Sequence, residues 1–106
     1  WCEPCRDEMP AIQRLKKKLA GKSFTVLAVN VDEPESRIRN FLEKMPLDFP
    51  VLVDGGKVAT RAWKVRVLPA SFIVGRDGRI RYSLSGDLAW DHDSVVSLLT
   101  ELARSQ

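Results

Sequence analysis

The sequence predicts an α/β fold in which helices flank a central mixed sheet. Segments with helical periodicity alternate along the chain with short apolar runs rich in β-branched residues. The run from Phe24 to Val31 is apolar at nearly every position, which is typical of a strand buried on both faces by helices. The run from Arg79 to Leu84 instead alternates polar and apolar residues, so one of its faces should be wet. A chain of 106 residues has the size of one domain, 1–106.

The first helix is predicted from about Cys2 to Ala20, and Gly21 ends it as a C-terminal cap residue would. Pro4 suits the opening turn, where its missing N–H costs nothing, whereas Pro10 lies inside the helix and should bend its axis. Apolar residues recur at helical spacing on the inner face of this helix: Met9, Ile12, Leu15 and Leu19.

The middle of the chain predicts a second helix that starts at 32–34, an extended run over 49–53 and a brief helix over about 57–63. The residues expected to face inward from these two helices are Ile38, Phe41, Leu42, Met45, Val58, Ala62 and Trp63.

The last third of the chain predicts a hairpin and a closing helix. Strands over 71–74 and 79–84 flank Arg76-Asp77-Gly78, which is a good hairpin turn. Asp91 or Ser94 should cap the final helix. Its inward residues are predicted to be Val95, Leu98, Leu99 and Leu102.

Composition and charge indicate an ordinary globular domain. The net charge is +3, and the basic residues are scattered apart from Lys16-Lys17-Lys18, which on a helix form a solvated face rather than a nucleic-acid patch. The sequence contains no run of about 18 apolar residues, which is the length that a membrane-spanning helix needs. We expect a monomer with no nucleic-acid partner.

Both cysteines of the chain lie in its first six residues, Trp1-Cys2-Glu3-Pro4-Cys5-Arg6. Residues three apart share a helix face with Cβ atoms about 5 to 6 Å apart, and a disulfide needs Cα atoms about 4.4 to 6.8 Å apart. The two thiols can therefore bond if Cys2 caps the helix and Cys5 lies in its first turn. The helix dipole and Arg6 favour a thiolate at Cys2, whereas Glu3 opposes it. This predicts a redox-active disulfide as the working group, with no other cofactor.

A metal site is the alternative interpretation of the cysteine pair. Zinc prefers four ligands, and the chain offers two cysteines and His92, so carboxylates would have to complete the set. A noncatalytic metal-binding or copper-chaperone-type module using Cys2, Cys5 and His92 therefore remains an alternative. Covalent haem attachment would need His after the second cysteine, where this chain has Arg6.

The first ten residues match the pattern W-C-x-P-C-x-x-E-x-P at every fixed position. In this motif, in the order of its elements and in the segments 28–32 and 49–51, the chain resembles the TlpA/ResA-like branch of extracytoplasmic thiol-disulfide oxidoreductases. The resemblance covers nearly the whole chain. It implies a thioredoxin-like fold and an enzyme that exchanges disulfides with protein substrates.

The resemblance implies four catalytic positions, Cys2, Cys5, Glu8 and Pro69. Pro69 matches the family's cis-proline, which sits opposite the cysteines; a plain strand-start proline is the less favoured alternative. Glu8 lies three residues after Cys5 and could take the proton of Cys5 or raise thiol pKa values. It could also simply pair with Arg6 or a lysine.

Four further residues are expected to contact the substrate: Trp1, Glu3, Pro4 and Leu68. Trp1 would offer an apolar contact surface, or it could serve as a core aromatic residue. Members of the family often have Gly two residues before the proline, where this chain has Val67. The loop beside the disulfide should therefore be bulkier.

We expect Cys2 to attack as the exposed thiolate and the more buried Cys5 to resolve the mixed disulfide. The negative charge of Glu3 disfavours the thiolate, which argues for a reductant of protein disulfides. The resemblance points the same way, toward targets such as the haem-attachment cysteines of apocytochrome c. An upstream membrane or soluble thiol reductant would supply the electrons.

The resemblance also implies a periplasmic or otherwise extracytoplasmic location. In a thioredoxin fold, a strand leads into the C-x-x-C helix and lies between the strands predicted here at 24–31 and 71–74. No such strand precedes Trp1 in this sequence. We therefore expect an N-terminally incomplete domain, whose missing part could carry a signal sequence or a membrane anchor.

Overall fold

The chain alternates helices and strands as predicted, and the computed structural model describes residues 2–105. In chain order the elements are α1 (Glu3–Lys18), β1 (Ala28–Val31), α2 (Glu35–Lys44), β2 (Val51–Asp54), α3 (Val58–Ala62), β3 (Ala70–Val74), β4 (Ile80–Ser85) and α4 (Asp93–Ser105). A short 3-10 turn over Gly55–Lys57 precedes α3. Each predicted element is present, but β1 begins at Ala28 rather than at Phe24.

The described residues form two compact units. The first unit combines 2–25 with 66–105 and contains α1, β3, β4 and α4. The second unit comprises 26–65 and contains β1, α2, β2 and α3. The first unit is therefore built from two stretches that are distant in the sequence.

The predicted mixed sheet is present as two separate two-stranded sheets among the described residues. In the second unit β1 pairs with β2 in parallel, with Ala28 opposite Val51. In the first unit β3 pairs with β4 antiparallel, with Ala70 opposite Ser85. The parallel and antiparallel pairings of a mixed sheet are thus both present.

The main core lies in the first unit, where one face of α1 packs against the end of the chain. Its buried residues are Ala11, Leu15, Leu19, Trp90 and Leu99. Half-buried apolar residues surround this cluster: Ile12, Phe24, Ile73, Leu84, Val95, Val96 and Leu102. The helical spacing of the α1 residues explains why this helix buries only one stripe.

In the second unit, the carboxylate of Asp54 organises the start of α3. Its Oδ1 accepts the backbone N–H of Ala59 at 3.0 Å, and its Oδ2 accepts the backbone N–H and the hydroxyl of Thr60 at 2.7 and 2.6 Å. The hydroxyl of Thr60 first, and then the two backbone donors, lower the pKa of Asp54. These bonds satisfy N–H groups that a helix N-terminus leaves without partners.

Several residues predicted to face inward are exposed. The prediction that the 24–31 strand is buried on both faces is wrong for this chain, because Leu27 is 59% and Val29 is 52% exposed. Among the described residues β1 pairs with β2 alone. Its faces are therefore less covered than those of a strand at the centre of a sheet between helices. The five-residue α3 likewise leaves Val58 and Trp63 exposed, and in β4 Tyr82 is exposed while Leu84 reaches the core.

The start of α4 also differs from the prediction. The helix begins at Asp93, so His92 and not Asp91 or Ser94 occupies the preceding cap position. The Nδ1 atom of His92 accepts the backbone N–H of Ser94 at 3.2 Å. Imidazole nitrogen thus replaces the carboxylate or hydroxyl oxygen that helix caps usually supply.

Among residues 2–105, no helix is both long and apolar enough to cross a membrane.

The packing of α1 gives the first prediction. Leu15 is 2% exposed at the centre of the core, so Leu15→Ala should lower the free energy of unfolding by about 2–5 kcal/mol. Leu98→Ala is the matched control, because Leu98 lies in α4 but is 37% exposed and should lose clearly less. Urea unfolding followed by circular dichroism measures both values. Equal losses for the two variants would contradict this description of the core.

Candidate functional site

The two cysteines lie at the N-terminus of α1 and form a disulfide. Cys2 is the N-cap residue, with φ −94° and ψ 99°, and its Sγ accepts the backbone N–H of Cys5 at 3.2 Å. The Cα atoms of the pair are 5.2 Å apart, within the usual range for a disulfide. The predicted placement, with Cys2 as the cap and Cys5 in the first turn, is therefore observed.

The residues around the disulfide differ in exposure. Glu3 and Pro4 are exposed on the first turn of α1 between the two cysteines. Cys2 and Cys5 are both half-buried, so the expected contrast between an exposed Cys2 and a more buried Cys5 is not observed in the disulfide form. Trp1 lies outside the described residues.

Pro69 lies at the start of β3 in the same unit as the disulfide. The peptide bond between Leu68 and Pro69 is cis, and Pro69 is buried. Its carbonyl oxygen accepts the backbone N–H of Gly86 at 2.8 Å, which ties the entrance of β3 to the end of β4. Leu68 is 45% exposed and is thus available at the surface.

Glu8 is buried within α1, where it is only 7% exposed. Its Oε2 accepts the indole N–H of Trp90 at 3.1 Å and the backbone N–H of Leu88 at 3.3 Å. The spacing of three residues places Glu8 on the same helix face as Cys5. The structure thus brings Cys2, Cys5 and Glu8 together on one helix.

The environment of Glu8 raises its pKa above the usual value. Burial is the main cause, because it penalises the charged carboxylate, and the negative charge of Asp87 acts in the same direction. The hydrogen bonds from Trp90 and Leu88 oppose this rise, since they favour the ionised form. Glu8 is therefore a buried acid whose proton affinity depends on two specific donors.

The sequence did not predict Trp90 or Leu88 as partners of Glu8. They lie 82 and 80 residues away, in the 87–91 segment that joins β4 to α4. The available signal was Trp90 itself, because a buried tryptophan usually needs a partner for its N–H. No periodicity in the sequence shows that this partner is Glu8.

An open pocket of about 330 Å³ lies beside Glu8. It is lined by Asp7, Glu8, Ala11, Arg14, Asp87, Leu88, Ala89 and Asp91. Two of these residues form an ion pair, in which Arg14 Nε donates to Asp91 Oδ2 at 2.7 Å. The pKa of Asp91 is lowered, first by this hydrogen bond.

Within the part of the chain that the structure describes, no group of three or more His, Cys, Asp or Glu side chains is arranged to hold a metal ion. The ring of His92 is engaged by Ser94, with its Nδ1 2.9 Å from the hydroxyl oxygen. The set of Cys2, Cys5 and His92 considered for a metal is therefore not assembled here.

Comparison with known proteins agrees with these features. Residues 1–83 match the AhpC/TSA family. Over 87 residues, the chain is 34% identical to "Thiol-disulfide oxidoreductase ResA" of Bacillus cereus (strain ZK / E33L), an alignment that covers 82% of this chain and 50% of that protein. The chain thus spans about half the length of the curated relatives it matches.

Two solved structures superpose on nearly the whole chain. One is a Chlorobium tepidum protein assigned as thiol:disulfide interchange protein DsbE, with a TM-score of 0.87 and 28% identity over 97% of this chain and 73% of that one. The other is a Neisseria meningitidis protein assigned as a thioredoxin, with a TM-score of 0.84 and 27% identity over 99% of this chain and 69% of that one.

These likenesses confirm the α/β thioredoxin-like fold and the resemblance that the W-C-x-P-C motif indicated. The family match extends over 83 of the 106 residues and includes α1, β1, β2, β3, most of β4 and the proline at 69. The chain therefore belongs to the AhpC/TSA family and is a TlpA/ResA-like member of the thioredoxin superfamily.

Proposed function

We propose that this chain is a thiol-disulfide oxidoreductase that reduces disulfides of partner proteins through the Cys2–Cys5 pair. The observation that carries the proposal is the disulfide at the N-terminus of α1, in which Cys2 is the cap residue. The ResA and DsbE relatives support an oxidoreductase of this class. A helix N-terminus favours negative charge, so it stabilises the thiolate that attacks disulfides.

The exchange proceeds in two steps. In the reduced protein, the Cys2 thiolate attacks one sulfur of the partner's disulfide; the other partner sulfur leaves as a thiolate and takes up a proton. Cys5 then loses its proton and attacks Cys2 Sγ, which forms the Cys2–Cys5 disulfide and releases the second partner thiolate, which is protonated in turn. The partner gains two electrons and two protons, and the dithiol of the chain is oxidised.

Glu8 is the proposed proton acceptor for Cys5. It is buried on the same helix face, and its raised pKa brings its proton exchange closer to neutral pH. Pro69 and Leu68 are proposed to receive the partner's extended segment, since the missing N–H of proline leaves the backbone of Leu68 free to pair with it. Glu3 and Pro4 lie exposed between the cysteines and would contact the same segment, as would Trp1.

We place this activity outside the cytoplasm, with the periplasm as the compartment that the family resemblance supports. The partners are then proteins with disulfides or thiols, including targets of the cytochrome c maturation type, and an upstream membrane or soluble thiol reductant. The protein is proposed to act as a monomer without a metal or organic cofactor. The noncatalytic metal-binding alternative is not favoured, because the similar proteins carry the names of thiol-disulfide oxidoreductases and no group of three or more metal ligands is assembled among residues 2–105.

Serine variants test the assignment of the two cysteines. Cys2→Ser should lose disulfide exchange, because the attacking sulfur is gone. Cys5→Ser should retain attack and accumulate a mixed disulfide, visible as a mass increase on a nonreducing gel. Each variant is the control for the other. Exchange by Cys2→Ser, or a stoichiometric metal bound to the reduced protein, would contradict the proposal.

The direction of electron flow is tested by the reduction potential. Because Glu3 lies between the cysteines and its charge disfavours the thiolate, we expect a potential in or below the range of cytosolic glutathione, about −220 to −320 mV. Equilibration with glutathione or dithiothreitol buffers, followed by thiol alkylation and mass spectrometry, measures it. A potential well above this range would identify an oxidase or isomerase instead.

Glu8→Gln should change how stability depends on pH. Because the folded protein raises the pKa of Glu8, the stability linked to this group is complete below the unfolded pKa of about 4.3 and is lost as the pH rises through the higher folded pKa. Wild type should therefore lose unfolding free energy as the pH rises between these two pKa values, while Glu8→Gln does not lose this contribution. The unfolding free energy of Glu8→Gln minus that of wild type should increase with pH over the same range.

Urea unfolding of the oxidised proteins from about pH 4 to 8 measures this difference. Glu3→Gln is the matched control, because Glu3 is an exposed glutamate of the same helix and should not reproduce the trend. Parallel stability curves for Glu8→Gln and wild type would show that Glu8 does not titrate with a raised pKa.

A further inference from the structure

We infer that Trp90 is a positioning residue for thiol exchange, whose indole N–H holds the Glu8 carboxylate in place to accept the proton of Cys5. This inference rests on the proposed function and extends it to a residue outside the motif. It gives the 87–91 segment a part, through Glu8, in the chemistry of the first helix.

The contact itself is buried and specific. Trp90 is 7% exposed, as is Glu8, and its Nε1 lies 3.1 Å from Glu8 Oε2. The second donor, at 3.3 Å, is the backbone N–H of Leu88. Because a backbone donor is present for every residue at position 88 except proline, Trp90 is the donor of these two that depends on the side chain.

The 87–91 segment is held against α1 on both sides of this contact. Asp91, next to Trp90, accepts from Arg14 Nε at 2.7 Å through its carboxylate and from Lys18 Nζ at 3.0 Å through its backbone carbonyl. The ring of Trp90 also packs in the core cluster with Ala11 and Leu15. The indole N–H therefore has a fixed direction and does not follow a mobile loop.

This arrangement controls when Glu8 can accept a proton. The other charged groups that line the pocket beside Glu8 are Asp7, Arg14, Asp87 and Asp91. Burial and the charge of Asp87 favour the protonated acid, whereas the donors from Trp90 and Leu88 favour the carboxylate. Without the indole N–H, Glu8 would hold its proton to higher pH and would be unable to take the proton of Cys5 until that pH is reached.

The first test measures Glu8 directly. The ¹³C signal of its carboxyl carbon is titrated in wild type and in Trp90→Phe, which keeps an aromatic ring but has no N–H. We expect the midpoint to move to higher pH in Trp90→Phe. Trp63→Phe is the matched control, because Trp63 is neither one of the groups that shift the pKa of Glu8 nor part of the pocket lining beside it, and its replacement should leave the midpoint unchanged. An unchanged midpoint in Trp90→Phe would overturn the inference.

Because Phe is smaller than Trp and could disturb the core, a second variant replaces Trp90 with benzothienylalanine, which keeps the bicyclic shape and lacks only the N–H. It should reproduce the upward shift. A shift in Trp90→Phe that is absent with benzothienylalanine would mean that packing, and not the hydrogen bond, is responsible, and would also overturn the inference.

The second test asks whether the effect acts through Glu8. The pH profile for resolution of a mixed disulfide is measured in wild type, Trp90→Phe, Glu8→Gln and the double variant. Trp90→Phe should shift the profile to higher pH in the wild-type background and should cause no shift when residue 8 is Gln. A shift that persists with Gln at position 8 would overturn the positioning role. Absence of any exchange by wild type would instead refute the proposed function itself.

Discussion

Burial of the Glu8 carboxylate in the apolar face of α1 is the constraint on which the arrangement of the first unit depends. Ala11, Leu15 and Leu19 continue the same helix face into the core, so a charged group at position 8 interrupts an otherwise apolar stripe. A buried carboxylate is costly unless hydrogen-bond donors reach it. Two donors come from the 87–91 segment, which must therefore cross α1 at this level before α4 begins.

The same helix carries the redox pair at its N-terminus, and this connects the core to the chemistry. Cys2 performs the role that Ser or Asp usually has at a helix cap, because its Sγ accepts the backbone N–H of Cys5. The position of the disulfide is thus fixed by the start of α1, and α1 is fixed by the packing of Leu15 and Leu19.

The sequence was sufficient for the features that depend on local spacing. The cap position of Cys2, the burial of Leu15 and Leu19 and the hairpin turn at Gly78 follow from residues a few positions apart, whereas Glu8 and Ala11 are buried in place of the predicted Met9 and Ile12. It was insufficient where a partner lies far along the chain, as for Trp90 with Glu8. The prediction from the sequence was also wrong for the burial of Leu27 and Val29. An apolar composition shows which residues a strand can bury, but it does not show how many neighbouring strands and helices cover them.

Exposure does not distinguish the two cysteines, but their electrostatic surroundings do. Cys2 lies at the positive end of the α1 dipole, where negative charge on sulfur is favoured and the N–H of Cys5 would bond more strongly to a thiolate than to a thiol. Cys5 lies one turn before a buried carboxylate, whose negative charge favours the protonated thiol. If the pair acts as proposed, one helix would favour a thiolate at the first cysteine and a thiol at the second. The proposed attacking and resolving roles require that asymmetry, and it would depend on Glu8 staying where Trp90 and Leu88 hold it.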